Sequence, residues 1–321
     1  MKRSVTAPKN TEILSDSPSD LDRAGAILRD GGLVAFPTET VYGLGADARN
    51  DRAVASVYEA KGRPSFNPLI VHVPSIEAAR ALVEVSDVAE RLASAFWPGA
   101  LTLVLPLKAD SGISKLVTAG LETLAIRVPN HALAQDLLMR AGVPVAAPSA
   151  NPSGRVSPTE AQHVIAGLEG KIDGVVDGGS CTIGVESTII SLAGDPTLLR
   201  TGGIPIEAIE ACLGAPLNRQ EHAETPSAPG QLASHYAPKG TVRLNADTVE
   251  EGEMLLGFGP VDAEINLSPS CDLIESAANL FKCLHQLDQM GAERIAVSPI
   301  PTHGLGAAIN DRLNRAAAPR D

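Results

Sequence analysis

The chain contains 321 residues, of which 44% are hydrophobic, but just one is Trp, three are Tyr and five are Phe. Its core must therefore be built from aliphatic side chains, as in layered α/β proteins, and its length favours two domains of roughly 150 residues each. The formal net charge of −12 disfavours nonspecific electrostatic binding to nucleic acids or anionic membranes. Any bound anion needs a local pocket.

The amino-terminal residues and the cysteines bear on cellular location. Residues 1–20 begin with two cations but lack an apolar segment, and no apolar run approaches the ~18 residues of a membrane span. Cys181, Cys212, Cys271 and Cys283 form no C-x-x-C pair, so neither a zinc site nor a disulfide framework is indicated. The sequence predicts a cytoplasmic protein without a membrane segment.

A buried strand is predicted over residues 33–36, because this run is entirely apolar. The PTETVYGLG segment that follows is predicted to be a loop, since it combines Thr38, Glu39 and Thr40 with the turn-forming Gly43 and Gly45. Loops on rigid scaffolds often carry function. This segment is therefore a candidate part of a site.

A helix is predicted to begin at Asn50 or Asp51 and to end at Gly62, with apolar residues on one face. Lys61 and Arg63 therefore emerge at its carboxyl end. They either complement the helix dipole, for about 0.3 to 1 kcal/mol, or form part of an anion site. The rigid glycine and proline beside them favour the site, because a surface cation needs no such neighbours.

Six further apolar runs predict strands, with helices in most of the gaps between them. The runs are residues 69–73, 101–105, 124–128, 143–147, 174–176 and 187–192. This alternation indicates a mixed α/β sheet.

Two polar residues lie within these predicted strands. Arg127 shares a face with Ala125 and Pro129, and a half-buried arginine needs an anionic partner. Either a ligand or an Asp or Glu elsewhere in the fold could be that partner. His72 lies among apolar residues, where a buried histidine satisfied by the fold is the usual alternative to a ligand-binding one.

The segment APSANPSGRVSPTEA offers serine and asparagine side chains, among them Ser149 and Asn151, after the predicted strand 143–147. Ser157, Pro158 and Glu160 match a capping box with proline at the first helical position. Because a helix amino terminus is itself an anion site, Ser157 is predicted to cap a helix, to bind a phosphate, or to do both.

The carboxyl-terminal third has its own pattern. Prolines and glycines accumulate over residues 215–240, which is typical of a stiff linker. Strands near 242–244, 254–258, 265–267 and 294–297, and a helix over 272–290 that stops at Gly291, then predict a small α/β unit. We therefore expect a first domain at 16–214, a linker at 215–240 and a second domain at 241–321.

Several segments together resemble one known family. PTETVYGLG, KGRP followed by NPL, PGALTLVL, AIRVP, PSANPSG and ESTI occur in consistent order between Asp20 and Leu213. They are similar to those of the L-threonylcarbamoyladenylate synthases, whose catalytic domain has the YrdC-type fold. The linker SAPGQLASHYAPKG and the terminal GLGAAINDRLNRAA resemble the long, two-domain branch. The resemblance implies a YrdC-type mixed twisted sheet and a smaller Rossmann-like domain.

The resemblance also implies a reaction and a set of ligands. The family makes threonylcarbamoyl-AMP and pyrophosphate from L-threonine, bicarbonate or CO2, and ATP, and supplies proteins that modify tRNA with threonylcarbamoyladenosine. By motif position, the threonine ligands are Thr40, His72, Arg127, Ala147 and Ser187. The ATP ligands are Lys61, Arg63, Asn67, Thr123, Ser149, Asn151, Ser157 and Arg200, with Lys61 and Arg63 as the catalytic pair.

The chemistry accounts for this division of residues. A carbamate attacking a nucleotide phosphate brings two anions together, so cations must be in place beforehand. Magnesium is expected to arrive with ATP, because no Asp, Glu and His cluster has metal-ligand spacing. His235 and Tyr236 of the linker are expected to fold over the site as a lid, with a solvated spacer as the alternative.

Two other functions remain open from the sequence. An RNA-binding module is disfavoured by the acidic charge and the scarcity of stacking aromatic residues. A carbamoyl-transfer enzyme of metallocentre maturation shares the YrdC-type domain, but it is distinguished by zinc-type C-x-x-C repeats, which this chain lacks.

Overall fold

Two β-sheets organise the protein, which the computed structural model describes over residues 9–219 and 234–319. The strands of the larger sheet are β1 (Glu12–Leu14), β2 (Val34–Phe36), β3 (Gly43–Asp47), β4 (Ile70–His72), β5 (Leu101–Pro106), β6 (Thr123–Arg127), β7 (Val145–Ala146), β8 (Gly174–Val176), β9 (Thr188–Ser191), β10 (Thr197–Arg200) and β11 (Asn218–Arg219). Within the described residues their order is β1-β8-β2-β3-β7-β4-β6-β5-β9-β10-β11. Parallel pairs such as β4–β6 lie beside antiparallel pairs such as β5–β6, so the predicted mixed sheet is confirmed.

Helices cover both faces of this sheet. They are α1 (Pro18–Arg29), α2 (Asp51–Lys61), α3 (Ile76–Arg80), α4 (Asp87–Phe96), α5 (Lys115–Thr118), α6 (Ala132–Ala141), α7 (Ala161–Leu168) and α8 (Ile206–Leu213). On one face, α1 and α6 pack Leu28 and Leu137 into a cluster with Phe36. On the other face, Val57 of α2 and Leu92 of α4 belong to the largest cluster. Aliphatic residues supply most of this core, as the composition predicts.

The loop prediction for PTETVYGLG was wrong at Gly43 and Gly45, because both belong to β3, between β2 and β7. Glycine is required at Gly45 because neighbouring side chains pack closely against it, and not because the chain turns there. A Cβ on Gly45 would lie 2.9 Å from the Val145 side chain and 3.0 Å from the Phe36 ring. Glycine here lets neighbouring strands and side chains approach the backbone.

The predicted capping box was also wrong. Helix α7 begins at Ala161, its N-cap is Glu160, and the Glu160 side chain makes no capping hydrogen bond. The Ser157 hydroxyl instead donates to the Glu186 carboxylate at 2.6 Å. A partner distant in sequence replaces the local one, which a sequence motif cannot reveal.

The smaller sheet lies at the carboxyl-terminal end. Its strands are β12 (Thr241–Arg243), β13 (Glu253–Gly257), β14 (Ile265–Asn266) and β15 (Arg294–Val297), and its helices are α9 (Leu273–Gln289) and α10 (Leu305–Ala317). All three strand pairs are parallel, in the order β12-β15-β13-β14. The predicted second α/β unit is confirmed, and Asp272 caps α9 by accepting from the Ile274 amide.

The exact domain limits stay predictions. Strand β11 pairs with β10 of the larger sheet, although it lies within the predicted linker 215–240. Residues 220–233 of that linker lie outside the described residues. Of the helices that are described, none has the length and apolarity to cross a membrane.

One buried hydrophobic cluster joins the two units. Val41, Val156 and Val185 of the larger unit pack in the same cluster as Phe281 of α9 and Tyr236. The Tyr236 and Phe281 rings stack with centroids 5.5 Å apart. The second unit is therefore packed against the first through an apolar contact.

A stacked histidine pair crosses the same contact. The rings of His163 on α7 and His285 on α9 lie 3.9 Å apart, beside the ion pair of Lys282 with Glu160. Burial, and then the neighbouring His285, lowers the pKa of His163 to about 4. Burial also lowers the pKa of His285. Both rings are neutral at pH 7.

Because the pKa values of both histidines are lowered in the folded protein, we expect the protein to lose stability in mild acid. The unfolded chain takes up protons near pH 6.5 and the folded chain does not, so the free energy of unfolding falls as pH drops from about 7 towards 4. Urea unfolding at pH 7.5 and 5.0 measures the loss. We expect it to be about 1 kcal/mol larger in the parent protein than in His163→Phe, allowing for solvent screening. An equal loss in both proteins contradicts the prediction.

Candidate active site

Strand ends converge on one cavity. His72 ends β4, Arg127 ends β6 in register with it, and Arg200 ends β10, while Ala147 follows β7 and Ser187 precedes β9. The predicted site residues that line the cavity are Thr40, Arg63, His72, Arg127, Ala147, Ser149, Ser187, Arg200, His235 and Tyr236. The structure thus brings together all five predicted threonine ligands and both predicted lid residues.

Arg127 has a carboxylate partner inside the fold. Its Nη2 lies 2.7 Å from Glu39 Oε1, and both side chains are buried. Its Nη1 donates to Thr40 Oγ1 at 2.8 Å, and Thr40 Oγ1 lies 2.8 Å from Thr38 Oγ1. Arg127 therefore has the internal carboxylate partner, and it also lines the cavity, so a ligand role stays a prediction.

His72 and Ser187 add neutral polar groups to the same wall. Burial, followed by the charge of Arg127, lowers the pKa of His72 to about 3, so the ring is neutral at pH 7. Among the described residues, its Nδ1 has no hydrogen-bond partner. Ser187 Oγ lies 2.7 Å from Thr102 Oγ1 and accepts from Arg200 Nη2 at 3.2 Å. These groups can bind a small polar ligand.

Lys61 and Arg63 are buried cations, at 4% and 9% exposure. Gly62 between them is left-handed (φ 61°) and ends α2, as predicted. Lys61 Nζ donates to the carbonyls of Ser149, at 2.5 Å, and Asn151. Arg63 donates to the carbonyls of Asn67 and Pro68. Because both cations are buried, they are not surface groups that only complement the helix dipole.

The charges of this pair are uncompensated within the described residues. The recorded partners of both side chains are neutral carbonyl oxygens, and neither side chain forms an ion pair there. Burial, and then Arg63, lowers the pKa of Lys61 well below its usual value. Burial likewise lowers the pKa of Arg63 to about 10. An anionic ligand would relieve this cost.

Five predicted ATP ligands lie outside the cavity lining, and these are Lys61, Asn67, Thr123, Asn151 and Ser157. The Asn151 carbonyl accepts from Lys61 and the Asn67 carbonyl accepts from Arg63, so both asparagines contact the cations beside the cavity. Thr123 begins β6, at the end opposite Arg127. The roles of all five residues stay predictions.

Glu186 and Arg312 complete the site in a way that sequence reasoning missed. Glu186 lines the cavity and is 7% exposed. One carboxylate oxygen accepts from Ser157 and the other from Arg312 Nε at 2.9 Å. Although burial would raise the Glu186 pKa, the charges of Arg312 and Arg200 lower it, so the group is ionised. Both residues lie in segments that resemble the family, ESTI and GLGAAINDRLNRAA, and this resemblance was the available signal.

His235 and Tyr236 lie against the cavity and are buried at 6% and 1% exposure. Burial, and then the charges of Arg63 and Lys61, lowers the pKa of His235 well below 6.5. The next residue, Ala237, donates from its amide to the Gly154 carbonyl at 2.9 Å. This part of the linker is packed on the larger unit.

Comparisons with known proteins identify the class. Residues 26–202 match the Sua5-YciO-YrdC family model, described as "Telomere recombination". Residues 204–318 match the model described as "Threonylcarbamoyl-AMP synthase, C-terminal domain". The fold and the cavity therefore belong to a YrdC-type catalytic unit followed by the second domain of the long form.

Individual relatives agree over nearly the full length. The threonylcarbamoyl-AMP synthase of Bacillus subtilis is 44% identical over 97% of this chain and 96% of its own. That of Pyrococcus abyssi is 42% identical over 92% and 94%. The crystal structure of P. abyssi Sua5 complexed with L-threonine matches with a TM-score of 0.88 and 40% identity, over 96% of this chain and 98% of that one. The chain belongs to the threonylcarbamoyl-AMP synthase family.

Proposed function

We propose that this chain makes threonylcarbamoyl-AMP and pyrophosphate from L-threonine, bicarbonate or CO2, and ATP. The observation that carries the proposal is the pair of buried cations, Lys61 and Arg63, beside a cavity lined by hydroxyl groups and arginines. A nucleotide triphosphate supplies the anion that these cations lack. The threonine-bound P. abyssi relative supports the amino-acid substrate.

The residues divide between the two substrates. Arg127 binds the threonine carboxylate, with Thr40, His72, Ala147 and Ser187 around the rest of the molecule. Lys61 and Arg63 bind the phosphates, and the remaining ATP ligands are Asn67, Thr123, Ser149, Asn151, Ser157 and Arg200. The guanidinium of Arg63 can bind two phosphate oxygens at once.

The reaction needs no covalent enzyme intermediate. The threonine amine adds to CO2 and loses a proton, which gives a carbamate; bicarbonate gives the same carbamate with loss of water. A carbamate oxygen then attacks the α-phosphorus of ATP, and pyrophosphate leaves. The cations stabilise charge on the phosphates, while the cavity orients the two reactants.

The surroundings of the reaction follow from its chemistry. Within residues 9–219 and 234–319 no group of three His, Cys, Asp or Glu side chains is arranged to hold a metal. Mg²⁺ is then carried by the ATP phosphates. The product passes to proteins that transfer the threonylcarbamoyl group to tRNA, with weak or no direct nucleic-acid binding by this acidic chain, and the reaction takes place in the cytoplasm.

A pyrophosphate-release assay tests the function. Release should depend on threonine, bicarbonate and ATP together, and mass spectrometry should detect the mixed anhydride of threonylcarbamate and AMP. Omission of threonine or bicarbonate is the control for simple ATP hydrolysis. Pyrophosphate release that continues without threonine would refute the proposed reaction.

The segment with His235 and Tyr236 closes the cavity as a lid that excludes water from a hydrolysable product. The support is its burial against the cavity and its amide contact with Gly154. Changing His235 and Tyr236 together to Ala should leave the chain folded but lower the yield of intact product relative to ATP consumed. Chromatography of product and AMP measures this ratio.

The control for the lid is Lys239→Ala, a change in the same segment at an exposed position. It should leave the ratio of product to consumed ATP unchanged. If the double variant kept both turnover and intact yield, the segment would be a spacer and not a lid. A chain ending after Leu213 removes this segment together with the second domain, and it should also yield less intact product.

A further inference from the structure

The terminal helix α10 places a fully buried arginine next to the cavity wall. Arg312 has 0% exposure, although it belongs to the second unit. Its Nε donates to Glu186, and its Nη1 donates to Asp311 Oδ2 at 2.9 Å and to the Thr201 carbonyl at 2.7 Å. Its guanidinium carbon lies 5.4 Å from the centre of the Tyr236 ring.

Glu186 creates an electrostatic problem for the proposed reaction. Its ionised carboxylate lines a cavity that has to bind a triphosphate. At low effective dielectric, an uncompensated carboxylate in that wall would repel phosphate strongly. Arg312 contacts the carboxylate from the side of the second unit and compensates its charge.

The same contact fixes the neighbouring loop. With one Glu186 oxygen held by Arg312, the other accepts from the Ser157 hydroxyl. Helix α9 holds the Ser157 carbonyl as well, because His285 Nε2 lies 3.1 Å from it. Helix α9 therefore contacts Ser157, a predicted ATP ligand, directly, whereas α10 acts on it through Glu186.

We propose that Arg312 is a positioning residue for ATP, which neutralises Glu186 and, through it, orients Ser157. This inference rests on the proposed function. It gives the second unit a direct part in nucleotide binding. The expected signature is a change in ATP affinity with little change in threonine affinity, and it should depend on the charge of Glu186.

The test uses three variants of the full chain and one control variant. Arg312→Met leaves Glu186 unpaired, and should raise the KM for ATP at least about tenfold while the KM for threonine stays within about twofold. Arg312→Lys keeps the charge, and should remain within about threefold for ATP. Adding Glu186→Gln to Arg312→Met removes the unpaired charge, and should recover much of the ATP affinity.

The control is Arg243→Met, which breaks another arginine–carboxylate ion pair in the same unit. Arg243 binds Glu253 through Nε at 2.8 Å and Nη2 at 2.5 Å, in the smaller sheet. The KM values of Arg243→Met for ATP and for threonine should equal those of the parent. If Arg312→Met does not fold, as judged by circular dichroism, the KM values of Arg312→Lys and of the double variant are compared with those of the parent instead.

The outcomes distinguish failure of the positioning role from failure of the proposed function. An Arg312→Met enzyme with unchanged ATP affinity, equal increases in both KM values, or no recovery on adding Glu186→Gln would each overturn the positioning role. In those cases the parent enzyme still shows threonine-dependent pyrophosphate release. Loss of that release in the parent would instead refute the proposed function.

Discussion

Arg63→Lys should lower kcat/KM for pyrophosphate release by about ten- to a hundredfold while the chain stays folded. Arg63 is buried beside the cavity, and its Nε and Nη2 donate to neutral carbonyls, so its charge and the outer edge of its guanidinium, formed by Nη1 and the second N–H of Nη2, are available to phosphate. Lysine keeps the charge but cannot bind two oxygens in one plane. The loss of one charged hydrogen bond, worth about 1.5 to 3 kcal/mol, gives this range.

The measurement needs a control arginine away from the cavity. Arg52 is exposed on the first turn of α2, so Arg52→Lys makes the identical chemical change away from the cavity. It should leave the rate unchanged. Thermal unfolding of both variants should match the parent within a few degrees. Normal turnover in Arg63→Lys would show that Arg63 does not hold phosphate at the transition state.

Elements with strong local signals could be predicted from the sequence. Apolar runs predicted β2, β4, β5 and β6, and a capped amphipathic pattern predicted α2 and α9. The errors came from tertiary contacts. Gly45 looked like a turn residue, but it lies in a strand because neighbouring side chains approach its backbone. Ser157 looked like a helix cap, but its hydroxyl donates a hydrogen bond to Glu186, which is 29 positions away.

The candidate site was predictable for a different reason. Ten of the residues indicated by motif positions in the resembling family line one cavity and five lie outside its lining, and their individual roles stay predictions. Ion pairs inside the site could not be read from the sequence. Arg312 and Glu186 are separated by 126 positions, and no periodicity relates such distant residues. The partner of Arg127 was left open for the same reason, and it is Glu39.

Arg127→Ala should raise the threonine requirement much more than the ATP requirement. If Arg127 binds the threonine carboxylate, losing it leaves a charged group without its partner, which costs about 1 to 3 kcal/mol or roughly ten- to a hundredfold in KM for threonine. The KM for ATP should stay within about twofold. Steady-state kinetics with each substrate varied in turn measures both values.

The ion pair with Glu39 complicates that variant, because removing one partner of a buried pair typically costs about 3 to 5 kcal/mol of stability. Arg127→Met combined with Glu39→Gln removes both charges, so the chain should fold while still lacking the group that binds threonine. Arg140→Met is the control, since Arg140 pairs with Asp22 and Asp136 away from the cavity. A double variant with equal increases in both KM values would make Arg127 a structural residue. A selective loss of threonine affinity in a folded protein would separate substrate binding from the internal ion pair.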